Sequence, residues 1–454
     1  MPANKDFLED NPLNKINAQK KETSSPFREV LRSRNFRLLW VGEGISLLGD
    51  QFFLIALPWL VLQLTGDAFA VGAVLAIAGI PRALFMLVGG ALIDRYSPRM
   101  TMLVSNLFRM ALVALLTFLV LTGTIELWMI YALSLIFGIA DAFFFPAQSA
   151  IVPLLVKKEH LQIGNSIIQG TAQLSLFAGP LLAGSLIALF SSESLQIQGT
   201  EGAIPGTRGV GIAFGVDTFT FLVSAITLWL MRTQKTQKKA EKESVLSSIT
   251  AGIKSVWNDA TLRTFFIIIA AIHILVNGPL FIGIPVLADT RFAEGAAALG
   301  IVFSAYGGGS LLGTILAGVL PRPSPKRMGS SLLVIISLLG IGVVLLGFAR
   351  STTLAALISA IMGVANGYVV ILFVTWLQIR TPQEMLGRMM SLLMFAALGL
   401  NPIAMSIAGA FIKLNLTATF VVMGSLLTAI TLLSALNPAV RAMGVEPAKT
   451  PKPT

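Results

Sequence analysis

The chain of 454 residues contains no cysteine and only two histidines, His160 and His273. Without cysteine there is no disulfide and no thiolate metal site. Two histidines also argue against a histidine-built metal or catalytic centre. We therefore expect no metal and no cofactor.

Charge is scarce as well. Only 12% of the residues are charged, against about 25% in a typical soluble domain, and the mean hydropathy is +0.81. Stretches such as 355–379 exceed the roughly 18 apolar residues that indicate a membrane-crossing helix. The composition therefore predicts a polytopic, all-α membrane protein.

Several catalytic motifs are missing too. The chain has no Gly-Lys dipeptide, so the phosphate-binding loop of ATP-driven pumps is absent, and neither H-E-x-x-H nor G-x-S-x-G occurs. We expect no enzyme activity. If the chain moves a solute across the membrane, an ion gradient, most simply of protons, is the energy source that remains.

Twelve apolar stretches are present, and each must be helical because a segment that crosses the bilayer has to satisfy its own backbone hydrogen bonds. Of the 33 Lys and Arg residues, 27 fall in the arms and loops on one side and four on the other. The positive-inside rule then places both termini in the cytoplasm, and it accounts for the net charge of +11 without nucleic-acid binding. The predicted spans are 38–64, 68–93, 101–122, 127–152, 163–190, 209–231, 264–288, 297–320, 328–348, 353–379, 389–412 and 417–437.

The two halves of the chain are related. An offset of 225 residues places Asp141 on Asn366, and an offset of 227 places Asp50 on Asn277. Six spans per half keep the same orientation, which predicts a parallel 6+6 repeat. The expected divisions are a flexible cytoplasmic arm 1–35, a six-helix bundle 36–231, a basic linker 232–263, a second bundle 264–437 and a cytoplasmic tail 438–454.

The loop between spans 2 and 3 holds Gly90, Leu92, Asp94, Arg95 and Arg99 in the pattern G-x-L-x-D-R-x-x-x-R. This pattern resembles the loop signature of the major facilitator superfamily, and the resemblance extends over essentially the whole chain after residue 30. In that family the aspartate is taken to stabilise one conformation. The second copy of the loop, at 318–327, lacks it.

Span 5 carries Gly170, Gly179, Pro180 and Gly184, and it is similar to the antiporter signature of the same superfamily, which is associated with exporters. Small residues allow close helix contacts and proline favours a bend, so ordinary packing explains the same pattern. Both interpretations stay open. The arginine signature of span 4 is absent, since Ser134 occupies that position.

Segments 34–40, 42–50, 64–66, 214–221 and 387–391 resemble one branch of the superfamily, the drug and siderophore exporters, which include the enterobactin exporter and the macrolide efflux proteins. This resemblance implies export of a small amphipathic molecule. It does not identify the substrate.

Ionisable groups within the spans are disfavoured by about 2.5–3.5 kcal/mol each, so they normally face a cavity or a partner. In the superfamily, spans 1, 4, 7 and 10 line the central cavity. The polar residues that we expect there, on this resemblance, are Glu43, Asp50, Asp141, His273, Asn277 and Asn366.

Asp50 is our candidate for proton coupling, with a salt bridge to Arg82 as the alternative or complementary role. Glu43 shares its helix face but is either a second proton carrier or simply solvated. Asp141, beside the aromatic run 143–145, either receives a cationic substrate or is flanked by ordinary aromatic packing. For His273 we favour a structural role.

Arg109 and Asp217 lie on helices that the superfamily places on the outside of the bundles. We expect structural pairing or snorkelling for both. We do not expect them to pair with each other.

The sequence thus predicts a monomeric, proton-coupled exporter in a bacterial plasma membrane. Its partners are a small-molecule substrate, protons and the lipid bilayer. A lysophospholipid or lipid flippase is the alternative within transport, and a non-transporting membrane sensor or assembly factor is the alternative from another class.

Overall fold

The computed structural model describes residues 26–437 except 94–96, 193–206, 233–255, 322, 325–326, 382–388, 391, 394–395 and 397–398. The predictions for the arm up to residue 25, for most of the linker and for the tail therefore lie outside the described residues. The same holds for Asp94 and Arg95 of the loop signature.

A short helix, Pro26–Arg32, precedes twelve longer helices, which we number in chain order. They are α1 Arg34–Thr65, α2 Ala68–Ile93, α3 Pro98–Leu121, α4 Leu127–Leu155, α5 Leu161–Ser192, α6 Thr207–Leu230, α7 Ala260–Arg291, α8 Ala296–Val319, α9 Met328–Leu346, α10 Thr352–Arg380, α11 Asn401–Leu414 and α12 Leu416–Ser434.

Within the described residues, eleven of these helices are long and apolar enough to cross a membrane, and α11 is a shorter apolar helix. No strand occurs among them. The predicted all-α membrane fold with twelve transmembrane helices is confirmed. Large apolar side chains such as Trp128, Phe118 and Trp229 are more than 60% exposed, as expected of a surface that faces lipid.

Helix ends follow local capping chemistry. α1 begins four residues before the predicted span because the hydroxyl of Ser33 accepts a hydrogen bond from the backbone N–H of Phe36. At the other end of α1, Gly66 adopts a left-handed conformation with φ 61°, which is the usual helix stop. α7 contains two π-helical segments, His273–Asn277 and Pro279–Gly283.

The helices form two six-helix halves. In the N-terminal half α1 packs on α5 and α6, and α3 packs on α4 and α6; in the C-terminal half α8 packs on α10, and α9 packs on α12. The most extensive contacts between the halves are made by two helix pairs, α5 with α8 and α2 with α11. This parallel arrangement is the predicted 6+6 repeat.

We call the end of the bundle where α1 joins α2, and α11 joins α12, the turn end. The opposite end, where α1 begins, is the arm end. At the turn end Lys413 Nζ donates to Asp67 Oδ2 at 2.7 Å, and Gln63 Nε2 donates to Asp289 Oδ1 at 2.8 Å. Both contacts join the two halves, so the halves are closed together at the turn end.

Candidate functional site

A layer of charged side chains crosses the N-terminal half. Asp50 on α1, Arg82 on α2, Arg109 on α3 and Asp141 on α4 each lie about 18–23 Å along the helix from the turn end, at a rise of about 1.5 Å per residue. Four different helices thus bring two acidic and two basic residues to about the same distance from the turn end, within the membrane-spanning region.

Arg109 joins the two acids. Its Nη2 donates to Asp50 Oδ1 at 2.7 Å, and its Nη1 lies 3.4 Å from Asp141 Oδ1. Arg82 Nη1 contacts the second oxygen of Asp141 at 3.3 Å. The four residues therefore form one connected chain of ion pairs, Asp50–Arg109–Asp141–Arg82.

Aromatic rings enclose the Arg109 guanidinium. Its carbon lies 4.3 Å from the ring centre of Phe221, 4.7 Å from that of Phe144 and 5.5 Å from that of Phe137. Ring faces attract a cation and replace part of its lost hydration. Phe144 belongs to the run beside Asp141, so the geometry places this aromatic ring against a protein cation.

Of the two roles weighed for Asp50, a salt bridge to Arg82 is not formed, because Arg82 pairs with Asp141 and Asp50 pairs with Arg109. For Arg109 the expectation was structural pairing or snorkelling; it pairs with two acids and is 2% exposed, so the pairing is confirmed and snorkelling is wrong. Asp217 is 0% exposed and does not snorkel either. Sequence gives the depth of a residue along its helix, whereas pairing depends on how each helix is rotated.

Two further acids extend the layer. Gln148 on α4 donates a hydrogen bond to Glu43 Oε1, and the other oxygen of Glu43 is buried without a partner. Glu43 is therefore packed between helices and not solvated. Asp217 on α6 accepts from the hydroxyl of Thr220. Four carboxyl groups thus share the core of this half with two guanidiniums.

The members of the ion-pair chain differ in exposure. The side chains of Asp50 and Arg82 are 33% and 30% exposed, whereas those of Arg109 and Asp141 are 3% and 6% exposed. Asp50 is therefore the more exposed acid of the chain, and Arg109 is the buried cation behind it.

The C-terminal half has a neutral polar cluster at a similar distance from the turn end as the charged layer of the N-terminal half. Asn277 Nδ2 donates to Asn401 Oδ1 at 2.9 Å and also lies 2.9 Å from His273 Nδ1. Asn401 Oδ1 is 3.3 Å from the same nitrogen of His273. His273 thus has the structural hydrogen bonding that we favoured for it. π-helical turns such as the one that holds His273 and Asn277 are frequent at functional sites.

A cavity of about 630 Å³ lies between the halves. Of the residues expected to line it, Asn277 and Asn366 do so. Glu43, Asp50, Asp141 and His273 are not among its described lining residues, which corrects that expectation. The acids lie inside the N-terminal half because Arg109 and Arg82 hold two of them there.

Sequence reasoning missed most of the polar groups in the cavity, because it considered mainly ionisable residues. The available signal was the presence of amides within apolar spans. The missed amides are Gln51, Gln169, Gln173 and Asn401.

The span 5 signature lies where α5 meets its neighbours. A Cβ atom on Gly184 would lie 2.8 Å from Gly300 Cα of α8, and one on Gly179 would lie 2.5 Å from Gln51 Cβ of α1. A Cβ on Gly170 would meet nothing within 4 Å, and Gly170 lines the cavity. Two of these glycines thus allow close packing and one keeps the cavity open.

Arg99 is the last residue of the loop signature. Its Nε donates to the carbonyl of Leu228 and its Nη2 to that of Trp229, both at 2.7 Å. These are carbonyls of the last turn of α6, where a cation is favoured by the helix dipole. Arg99 therefore joins the beginning of α3 to the end of α6.

A two-halved helical bundle with a central cavity and buried intramembrane charges is the architecture of a secondary membrane transporter. The chain belongs to the Major Facilitator Superfamily, whose family model matches residues 39–405.

Two relatives are named as drug exporters. The multidrug efflux pump Tap of Mycolicibacterium fortuitum is 23% identical over 402 residues, which are 87% of this chain and 93% of that protein. Macrolide efflux protein A of Streptococcus pyogenes is 20% identical over 416 residues, covering 90% and 98% of the two chains. The predicted relation to the drug-exporter branch is confirmed.

Solved structures show the same fold. A POT family transporter in complex with 5-aminolevulinic acid superposes with a TM-score of 0.69 at 13% identity, over 90% of this chain and 97% of that one. A bacterial homologue of the lysosomal transporter Spinster, in an inward-facing and occupied conformation, gives 0.65 at 14% identity, over 93% and 95%.

Proposed function

We propose that this transporter is a proton-coupled exporter of a small amphipathic molecule, working by alternating access. The observation that carries the proposal is the ion-pair chain, in which a one-third exposed acid, Asp50, shares Arg109 with a buried acid, Asp141. Transport out of the cell is supported by two relatives that are named as efflux proteins.

The coupling step follows from charge balance. A proton on Asp50 removes its negative charge and weakens the 2.7 Å contact with Arg109. Arg109 then neutralises Asp141 alone, and α1 is free to move relative to α3. When the proton leaves, Asp50 regains its negative charge and the contact with Arg109 forms again, because a charge without a partner is disfavoured within the membrane.

α1 also carries this change to the interface between the halves. Gln63, near its turn end, donates to Asp289 of α7, and Gln51, beside Asp50, lines the central cavity. One helix thus connects the proton site, the cavity and the closed turn end.

In this proposal the turn end faces the outside of a bacterial plasma membrane, since 27 of the 33 basic residues lie in segments of the arm end. The state with a closed turn end is then the one that loads substrate from the cytoplasm. The division into bundles 36–231 and 264–437, joined by the linker 232–263, and a monomeric state are parts of the same proposal.

The test compares three strains of the source organism by untargeted mass spectrometry of cells and medium: intact, deleted for this protein, and Asp50→Asn at matched expression. A compound lost from the medium and retained in cells of both altered strains supports export through Asp50. If only the deletion removes it, export stands and Asp50 is not the coupling site. If neither strain changes the medium, the exporter proposal fails.

Lipid transport is a second candidate, favoured by one observation. A groove of about 420 Å³ between α3 and α4 is lined almost entirely by apolar groups, among them Val104, Phe108, Ile136 and Phe143. A lipid transporter would change the lipid composition of the two leaflets in the deletion strain. An exporter would leave it unchanged.

A sensor or assembly factor is the remaining alternative. On that reading Asp50 has no transport role, so the Asp50→Asn strain would keep the normal phenotype while the deletion loses it.

A further inference from the structure

The central cavity has a chemical character that the proton site does not share. None of its described lining residues is charged, although Asp50 directly precedes the lining residue Gln51 on α1. Its polar lining consists of side-chain amides and a few hydroxyls. The amides are Gln51, Gln169, Gln173, Asn277, Asn366 and Asn401.

Two of these amides have a side-chain oxygen that accepts no hydrogen bond. Gln51 Oε1 and Gln173 Oε1 are buried and accept no hydrogen bond, and Gln51 is only 9% exposed. A buried polar atom without a partner carries a free-energy cost that a ligand can remove. Rotation of the terminal amide group of Gln51 or Gln173 brings its oxygen to face the cavity. This wall can then offer two acceptors to a ligand with hydroxyl or amide donors.

The opposite wall is different. Asn277 already donates to Asn401, and His273 Nδ1 lies within hydrogen-bond distance of both amides and bonds to one of them in either tautomer. Beside them the rings of Phe281 and Phe303 lie 5.6 Å apart, and both rings line the cavity. Around Phe281 and Phe303 this side of the cavity thus offers an apolar, aromatic surface.

We infer that the cavity selects an uncharged amphipathic molecule, which presents at least two hydroxyl or amide donors to Gln51 and Gln173 and an aromatic or alicyclic face to Phe281 and Phe303. This inference rests on the proposed function, since it names the substrate class of the same cavity. An ionised ligand would lose hydration there without meeting a counter-charge.

Binding is tested on the purified full-length protein in lipid nanodiscs, with three fluorescent probes of nearly equal size. Methylumbelliferyl glucoside is uncharged and has an aromatic ring and sugar hydroxyls. The glucuronide adds one carboxylate, and the amino-sugar analogue carries an ammonium group. Fluorescence anisotropy gives the dissociation constant of each.

We expect the glucoside to bind about tenfold or more tightly than either charged probe, since the carboxylate or ammonium group would lose its hydration in a cavity whose described lining carries no counter-charge. Equal or tighter binding of a charged probe overturns the inference. So does a failure of the glucoside to bind.

Variants assign the contacts. Gln51→Leu combined with Gln173→Leu keeps the volume and removes the acceptors, so glucoside affinity should fall about tenfold or more. Gln162→Leu, a matched change at an exposed site of α5 nearer the arm end, should leave it unchanged. An unchanged affinity in the double variant overturns the assignment.

Introducing a negative charge into the cavity wall tests the selectivity more sharply. Gln173→Glu should weaken the glucoside and strengthen the amino-sugar probe, and if it does neither the inference is wrong. Failure here is separable from failure of the proposed export, because selective glucoside binding can hold in a protein that moves no protons. Proton-coupled export can equally hold for a charged substrate.

Gly170 supplies a size test of the same cavity. Gly170→Phe places a ring in open space on the cavity wall and should abolish glucoside binding. Gly318→Phe also enters open space, but Gly318 is not among the described lining residues, so this change should preserve binding. Glucoside binding that survives Gly170→Phe places the ligand elsewhere and contradicts the inference.

Discussion

The two halves of this transporter share a scaffold but differ in what they bury at its centre. The N-terminal half buries a chain of ion pairs around Arg109, and the C-terminal half buries the neutral cluster of His273, Asn277 and Asn401. The repeat sharpens the contrast, since Asp50 corresponds to Asn277 and Asp141 to Asn366. A duplicated fold has kept charge in one half, which we propose moves protons, and hydrogen-bonding amides in the other, which face the cavity.

The largest expected effect separates these two cores. Arg109→Met leaves Asp50 and Asp141 without their shared cation and should destabilise the protein by about 3–5 kcal/mol. The C-terminal counterpart, His273→Leu, removes only neutral hydrogen bonds and should cost about 1 kcal/mol.

The two purified variants are heated, and the loss of folded protein is monitored by size-exclusion chromatography. The two unfolding temperatures give the difference in stability. Arg82→Gln is the control for the charged core: Arg82 is one-third exposed, so its loss should be milder than that of Arg109. If Arg109→Met and His273→Leu are equally stable, the distinction between a charged and a neutral core has no energetic basis.

A smaller effect concerns how the halves meet. Gly184→Ala would place a methyl group 2.8 Å from Gly300 Cα, and overpacking of this kind costs about 1–3 kcal/mol. Gly170→Ala, in the same signature, meets open space and should change stability by less than about 0.5 kcal/mol.

Unfolding temperatures of the two alanine variants decide whether the span 5 signature acts through packing. Equal losses would mean that Gly170 has a contact that the structure does not explain. Equal stability would mean that α5 and α8 can separate at Gly184 without cost.

The smallest expected effect lies at the turn end. The hydrogen bond from Lys413 holds the pKa of Asp67 below its usual value. Because the folded pKa is the lower one, the contact stabilises closure above the ordinary pKa and is lost as the pH falls through the folded value. Asp67 and Lys413 are partly exposed, so Asp67→Asn should weaken closure by about 0.2–1 kcal/mol.

Spin labels on Phe69 and Leu414, two exposed residues on α2 and α11, measure this opening as a distance across the halves. The absence of cysteine allows both labels to be attached at introduced cysteines without background. A distance distribution that Asp67→Asn leaves unchanged at neutral pH would show that this ion pair does not hold the turn end.

Hydropathy predicted most of the fold because a membrane allows few alternatives. Span 1 was predicted to begin at residue 38, whereas α1 begins at Arg34, because Ser33 caps the helix four residues earlier. Part of the predicted span 389–412 lies outside the described residues, and α11 is described from Asn401, with Pro402 in its first turn.

The candidate site was predicted less completely. The charged positions on α1 to α4 could be found, because ionisable residues stand out in apolar spans. Their partners could not, since helix rotation decides that Asp50 meets Arg109 and not Arg82. The cavity amides Gln51 and Gln173 lacked any signal that separates a lining residue from one that faces a neighbouring helix.

We propose that protonation of Asp50 changes the conformation of the protein, and the same pair of spin labels tests this without a substrate. In the wild type we expect the distance distribution between Phe69 and Leu414 to shift when the buffer is changed over a range from about pH 8 to about pH 5. Asp50→Asn should show one distribution throughout that range, and Asp67→Asn should keep the shift. A shift in Asp50→Asn equal to that of the wild type would contradict the account.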